Sequence, residues 1–192
     1  MSNILLLMFT ALIADNIVFS RGIGSDSADV ASESSASAIK HGVILTVVMT
    51  VSALTAALLR EFVIEPYSLG YMKCLFYVII LVLFSGVVTY SAGNIFAAIG
   101  KDRNAYGGSI ITNFAALGVL FVLDSMGADR VTSVFYALFS GVGFTLASLI
   151  FAGIKERLAF SNVPKCMRGL PIMLVSAGII ALILAELSAL LL

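Results

Sequence analysis

Five stretches of this chain run for 17 residues or more without a charged side chain: residues 42–59, 74–100, 104–123, 131–154 and 169–185. A helix that crosses a bilayer needs roughly 20 mostly apolar residues to span a hydrocarbon core of about 30 Å. A sixth stretch, residues 4–20, fits the same description except for Asp15. The composition agrees, with 60% hydrophobic and only 11% charged residues among 192 and a mean hydropathy of +1.10. A soluble domain runs at about 45–50% apolar and about 25% charged, and one of this size could not bury such an excess. None of the stretches shows the alternation of a barrel strand, so the crossings are helical. The expectation is an all-α integral membrane protein, a single transmembrane domain over residues 1–192 with six transmembrane helices surrounded by membrane lipid. A soluble enzyme, a nucleic-acid binder and a disordered chain are excluded. Lys and Arg balance Asp and Glu at 11 each, so no net field recruits a polyanion.

Orientation follows from the basic residues. Arg21, Lys40, Lys101, Arg103, Lys155, Arg157, Lys165 and Arg168 follow crossings 1, 3 and 5, whereas only Arg60, Lys73 and Arg130 lie on the alternate side. The positive-inside rule then puts both termini outside the cytoplasm. No basic cluster and no cleavage site mark the first residues as a removable signal peptide.

The two halves resemble each other at an offset of 95 to 98 residues. Thr50-Val-Ser-Ala-Leu-Thr-Ala-Ala-Leu-Leu-Arg-Glu61 lines up with Thr145-Leu-Ala-Ser-Leu-Ile-Phe-Ala-Gly-Ile-Lys-Glu156, Asn16 answers Asn113, and Pro66 answers Pro164. Each unit holds three crossings, so the second copy (about 96–192) enters the membrane upside down relative to the first (about 1–95). Inverted repeats of this kind are typical of proteins that move a solute through a site at the repeat interface; chance similarity between Ala/Leu-rich helices is the alternative.

The first crossing of each half is the polar one. In a straight helix from Ile4, Asp15 lies about 16 Å deep at 1.5 Å per residue. A carboxylate there costs roughly 2.5–3.5 kcal/mol on insertion scales, so it should face a partner or a cavity. Crossing 4 opens with Tyr106-Gly-Gly-Ser109 and carries Thr112-Asn113 at its middle. Such residues predict that the first helix of each repeat is broken, with freed backbone groups lining a cavity. Interhelical hydrogen bonding by Asn16 and Asn113 explains them equally well.

Three motifs, Asp15-Asn-Ile-Val-Phe-Ser-Arg-Gly-Ile-Gly24, Ile111-Thr-Asn-Phe-Ala-Ala-Leu-Gly118 and Phe151-Ala-Gly-Ile-Lys-Glu-Arg-Leu158, together resemble the Rnf-Nqr membrane subunits. The likeness runs from Ile4 to the C-terminus and includes the Val163-Pro-Lys-Cys-Met-Arg-Gly169 turn. It is closest to the A-type member of Rnf complexes, the counterpart of the E-type member of the sodium-pumping quinone reductase. The resemblance implies a component of a redox-driven ion translocase in a prokaryotic inner (cytoplasmic) membrane. Its implied partners are a homologous six-helix subunit of opposite orientation and other Rnf-type subunits. It also implies a [2Fe-2S] cluster held by two thiolates from each of the paired subunits. The family's ligand positions correspond to Asp26 and Phe114 here, so both cysteines are replaced. Phenylalanine has no lone pair to offer iron.

These departures lead to the expectation of a cluster-less relative with no metal ligands or cofactor of its own. Phe114 would fill volume that a cluster needs, and Asp15 and Asp26, with Asn16 and Asn113 beside them, would be midplane groups able to line an ion path. A non-redox ion transporter or channel, or a structural membrane partner built on the same repeat, is the alternative. Cys74 and Cys166 fall at opposite membrane faces, about 30 Å apart, too far for a shared cluster or a disulfide. Glu156, between Lys155 and Arg157, and Gly141, in a stripe with Ala137, Thr145 and Ser148, are interface candidates, the glycine through close helix approach. His41 is expected at the membrane interface. No catalytic residues and no nucleotide-binding or zinc-protease motif can be assigned.

Overall fold

The computed structural model describes residues 11–12, 16–24, 28, 35–97, 113–160, 164, 167 and 169–191. Among these, every regular element is helical. Helix α1 (Ser35–Leu59) continues into a π-helical turn, Arg60–Ile64, and a 3-10 turn at Gly70–Met72 leads into α2 (Lys73–Ala97). After Asn113 come α3 (Phe114–Ser125), α4 (Arg130–Ala159) and α5 (Leu170–Leu191). The helical stretches Ser35–Ile64, Gly70–Val88 and Arg130–Leu158 are long and apolar enough to cross a membrane, and Phe114–Ser125 and Pro171–Glu186 are shorter apolar helices. The count of six crossings depends in part on residues outside those described, since only 11–12 and 16–20 of the first stretch are among them.

Polar side chains inside these helices close on their own backbone, as an apolar medium requires. The hydroxyls of Thr46, Thr50 and Thr55 donate to the carbonyls of Gly42, Thr46 and Val51 at 2.7, 2.7 and 3.0 Å. Those of Thr145 and Ser148 donate to Gly141 and Phe144. The chain leaves α3 through a glycine cap. Gly127 sits at φ +59°, the Gly127 N–H donates to Asp124 and the Ala128 N–H to Leu123. This bond pair satisfies two carbonyls at the end of α3 and turns the chain into α4 within a few residues.

Helices α1 and α4 form the centre of the fold. They run antiparallel, because Gly42 lies against Thr145 while Thr46 lies against Gly141. A Cβ on Gly42 would overlap the Thr145 side chain, and one on Gly141 would lie 2.6 Å from Thr46 Oγ1. The small residues of the α4 stripe therefore serve close approach to α1 of the same chain. Leu45, Val48, Met49, Tyr136, Phe144 and Ala147 fill the seam, with α2 and α3 packed against α1. The outer faces of α2 and α5 stay apolar and exposed, at Leu83, Val87, Leu182 and Ile183.

Two features differ from the sequence reading. Helix α1 starts at Ser35, seven residues before the uncharged stretch, because Ser35-Ala-Ser-Ala-Ile is compatible with helix and its Ala38 packs inward. His41 thereby sits nearly two turns inside the helix. It is 1% exposed and stacks on Phe144 with ring centroids 6.2 Å apart, rather than lying at an interface.

Candidate functional site

Asn16 is buried and anchors the segment that follows it. Its Nδ2 donates to the Leu12 carbonyl at 3.1 Å and to the Gly143 carbonyl of α4 at 2.9 Å. Its Oδ1 accepts from the Val18 N–H at 3.1 Å. A Cβ on Gly143 would come within 3.0 Å of that Nδ2, so the glycine makes room for the amide. Beyond Asn16 the backbone coils through non-helical turns, with Gly22 and Gly24 at φ +67° and +81°, conformations that glycine adopts without strain.

Asn113 repeats part of this geometry. Its backbone is extended (φ −77°, ψ 104°), so no continuous helix passes through it, and its Oδ1 accepts from the Ala115 N–H at 2.9 Å. It is the N-cap of α3, where a side-chain oxygen satisfies a backbone donor that the helix leaves free. Each asparagine thus accepts from the N–H two residues ahead. They differ at the amide nitrogen: Asn113 Nδ2 is buried and has no hydrogen-bond partner. The two segments also meet. A Cβ on Gly24 would lie 2.5 Å from Ala115 Cβ, and one on Gly118 would lie 3.2 Å from Ile23 Cγ2 and 3.3 Å from Ile17 Cδ1. The coil at 16–24 therefore lies on the first turns of α3.

Around this junction the predicted residues separate. Asp15, Asp26, Thr112 and Cys166 fall outside the described residues. Phe114 stands on the surface at 60% exposure, so it does not plug an internal space within this chain; the helix begun by Asn113 turns Ala115 and Ala116 inward and Phe114 outward. A phenyl ring there offers iron no lone pair. The donor set does not fit a [2Fe-2S] centre at this position. Cys74 is exposed at the start of α2. Glu156 is exposed near the end of α4, and Gly141 is inside the α1–α4 seam.

The sequence reading missed a second polar cluster, at the end of the bundle where α1 finishes and α4 begins. Lys73 Nζ lies 3.0 and 3.1 Å from the two carboxylate oxygens of Asp124, and the Tyr77 hydroxyl donates to the same carboxylate at 3.0 Å. Arg130 Nε and Nη2 bind Glu61 at 2.7 and 2.5 Å, with the guanidinium 5.6 Å from the Phe62 ring centre. Arg60 Nη2 donates to the Ala128 carbonyl at 2.8 Å. The only trace of this cluster in the sequence is that Arg60, Lys73, Asp124 and Arg130 all bound uncharged stretches; their pairing is tertiary.

Comparison with known proteins connects these features. The chain is 30% identical over 184 residues to the A-type member of the Na(+)-translocating ferredoxin:NAD(+) oxidoreductase complex of Acetobacterium woodii, covering 94% of each chain. It is 31% identical over 186 residues to the A-type member of the ion-translocating oxidoreductase complex of Azoarcus sp., covering 95% of this chain and 94% of the relative. The protein of the same description from Shewanella oneidensis is 27% identical over 182 residues, covering 95% of both. Residues 4–191 match the family described as Rnf-Nqr subunit, membrane protein, and the chain therefore belongs to the Rnf-Nqr family of membrane subunits.

Proposed function

We propose that this chain is a membrane component of an Rnf-type ion-translocating electron-transport complex, in the place that the A-type member holds in its relatives. The observation that carries this reading is near end-to-end similarity, 94% of both chains at 30% identity, to a component of such a complex. By the same reading it resides in a prokaryotic inner membrane, spans it six times with both termini outside the cytoplasm, and pairs with a homologous six-helix subunit of opposite orientation and with other Rnf-type subunits.

Two inverted three-helix repeats give these parts a common origin. Supporting this are the reciprocal Gly42–Thr145 and Gly141–Thr46 contacts, in which each antiparallel helix presents Gly-x-x-x-Thr to the other. The shared cap of Asn16 and Asn113 on the N–H two residues ahead supports it too. The coil at 16–24 and the start of α3 would then face each other across the repeat axis, with Asp15 and Asp26 as the acidic groups beside them. Exposed Phe114 and Glu156 would face partner subunits.

This copy is a cluster-less variant. A hydrocarbon ring occupies one of the family's thiolate positions and a carboxylate the other, and sulfur or occasionally imidazole is what holds such a cluster. The same replacements favour a second reading, an ion transporter that keeps the repeat without redox chemistry. Affinity purification of the tagged chain from native membranes separates the two. Co-purification of a second six-helix homologue with flavin- and iron-sulfur-bearing subunits supports the first reading. A lone homodimer that carries ion current after reconstitution refutes it.

A further inference from the structure

The charged end of the bundle carries an open cleft of about 560 Å³, lined by Arg60, Glu61, Glu65, Asp129, Arg130 and Val131. Its volume lies within the roughly 300–1,000 Å³ range of small-molecule sites. The cavity stands at the edge of the apolar layer: the uncharged stretch of α1 stops at Leu59, that of α4 starts at Val131, and Phe62, Tyr67 and Tyr71 are exposed nearby. Aromatic side chains of this kind settle at the level of lipid headgroups.

The lining is of mixed charge and only partly spent on itself. Arg130 and Glu61 satisfy each other through Nε and Nη2, which leaves the Arg130 Nη1 group for another acceptor. Arg60 holds the Ala128 carbonyl through Nη2, and its buried Nε is ion-paired with Glu65 Oε1 at 3.5 Å without a hydrogen bond. The Glu65 side chain is 63% exposed, and the Asp129 carboxylate, at the N-cap of α4, makes no capping hydrogen bond. Two guanidinium groups against three carboxylates repel a plain anion and leave the arginines unused by a plain cation. A ligand with both an anionic oxygen cluster and an N–H-bearing cation uses all of them.

We propose that this cavity binds the headgroup of an ethanolamine phospholipid. The phosphate takes the Arg130 edge that Glu61 leaves over, with the Arg60 charge beside it, since guanidinium groups match phosphate oxygens well. The ammonium lies between Glu65 and Asp129, and the acyl chains run down the exposed apolar faces toward the membrane interior. The position at the apolar boundary is what favours a lipid over a soluble zwitterion.

The test reconstitutes the full chain in nanodiscs holding phosphatidylethanolamine, phosphatidylcholine and phosphatidylglycerol with identical acyl chains in equal amounts. Native mass spectrometry then reads which lipid stays bound. Phosphatidylcholine keeps the zwitterion but has no N–H on its cation, and phosphatidylglycerol has no cation. The expected result is retention of phosphatidylethanolamine over either by on the order of tenfold, the effect of one charge-assisted hydrogen bond. The double variant Glu65→Gln with Asp129→Asn, both carboxylates being at the surface, is expected to lose that preference with unchanged helical content. The Val131→Trp variant, which crowds the cavity and leaves every charge in place, is expected to lose bound lipid of all three kinds. Equal retention of the three lipids by the unaltered chain, or a preference that survives both variants, overturns the proposal. Displacement of the lipid by soluble glycerophosphoethanolamine at equal concentration overturns its assignment to a lipid.

Discussion

Gly42 in α1 lies against Thr145 in α4 so closely that no side chain fits on the glycine, and Gly141 meets Thr46 in the mirrored arrangement one turn along. Adding one methyl group at either glycine is overpacking, which costs about 1–3 kcal/mol. Gly42→Ala and Gly141→Ala are each expected to lower the unfolding midpoint in detergent. Gly178→Ala in α5, where a Cβ meets nothing within 4 Å, is expected to leave it unchanged or raise it. Combining Gly42→Ala with Thr145→Gly should recover part of the loss, with a coupling of about 1 kcal/mol or more between touching residues. Strict additivity would contradict the contact.

The two asparagines are expected to respond differently. Asn16 makes three hydrogen bonds, one of them to a distant helix, whereas Asn113 makes one. Asn16→Ala should cost about 2–3 kcal/mol, at roughly 1 kcal/mol per bond lost. Asn113→Ala should cost about 1 kcal/mol, the ordinary value of an N-cap. Asn113→Ser keeps the cap and removes the unpartnered amide nitrogen, so it should be close to neutral. Thermal unfolding of the three variants in one detergent checks the order, and equal losses for Asn16→Ala and Asn113→Ala would refute it.

Among the charged pairs, partial burial decides the ranking. Glu61 and Arg130 are each nearly half exposed, so water and salt screen their attraction and the pair adds little to stability. The Asp124 side chain is 19% exposed and serves both Lys73 and Tyr77. Asp124→Ala leaves both donors without their acceptor and is expected to cost about 2–3 kcal/mol. Glu61→Ala should cost less than half as much, and chemical denaturation of the two variants reads the difference.

Which parts of this architecture could be read in advance follows from the range of the forces involved. Uncharged length marks a spanning helix by itself, and α2 and α4 lie where residues 74–100 and 131–154 forecast them. The start of α1 was not legible, because a Ser/Ala-rich helical turn carrying Lys40 and His41 looks like a loop until Phe144 is seen to cover the imidazole. Repeat register was blurred for a related reason. Ala/Leu-rich helices align with themselves at several offsets, and the match of Thr145 with Thr50 does not forecast that Thr145 meets Gly42 while Gly141 meets Thr46. Asn16 and Asn113 stood out as polar interruptions in apolar stretches, yet that the amide nitrogen of Asn16 has a partner in Gly143 and that of Asn113 has none depends on the tertiary fold. Phe114 faces outward because the cap at Asn113 fixes the phase of α3, which turns Ala115 and Ala116 inward.

Sidedness offers a further check. Cys74 is exposed at the start of α2, at the end of the bundle with few basic residues. A membrane-impermeant maleimide applied to intact cells is expected to label it, and Cys74→Ser should abolish that labelling. Labelling of Cys74 only in inside-out vesicles would reverse the proposed orientation.

A chain that keeps the family's fold without its thiolates is the central claim, and iron decides it. Iron and acid-labile sulfide should be measured on the purified pair of six-helix subunits, alongside the same pair carrying Phe114→Cys and Asp26→Cys in this chain. The unaltered pair is predicted to give no iron–sulfur signal, and a [2Fe-2S] spectrum is expected only after the cysteines are introduced. Two irons and two sulfides per unaltered pair would contradict the claim.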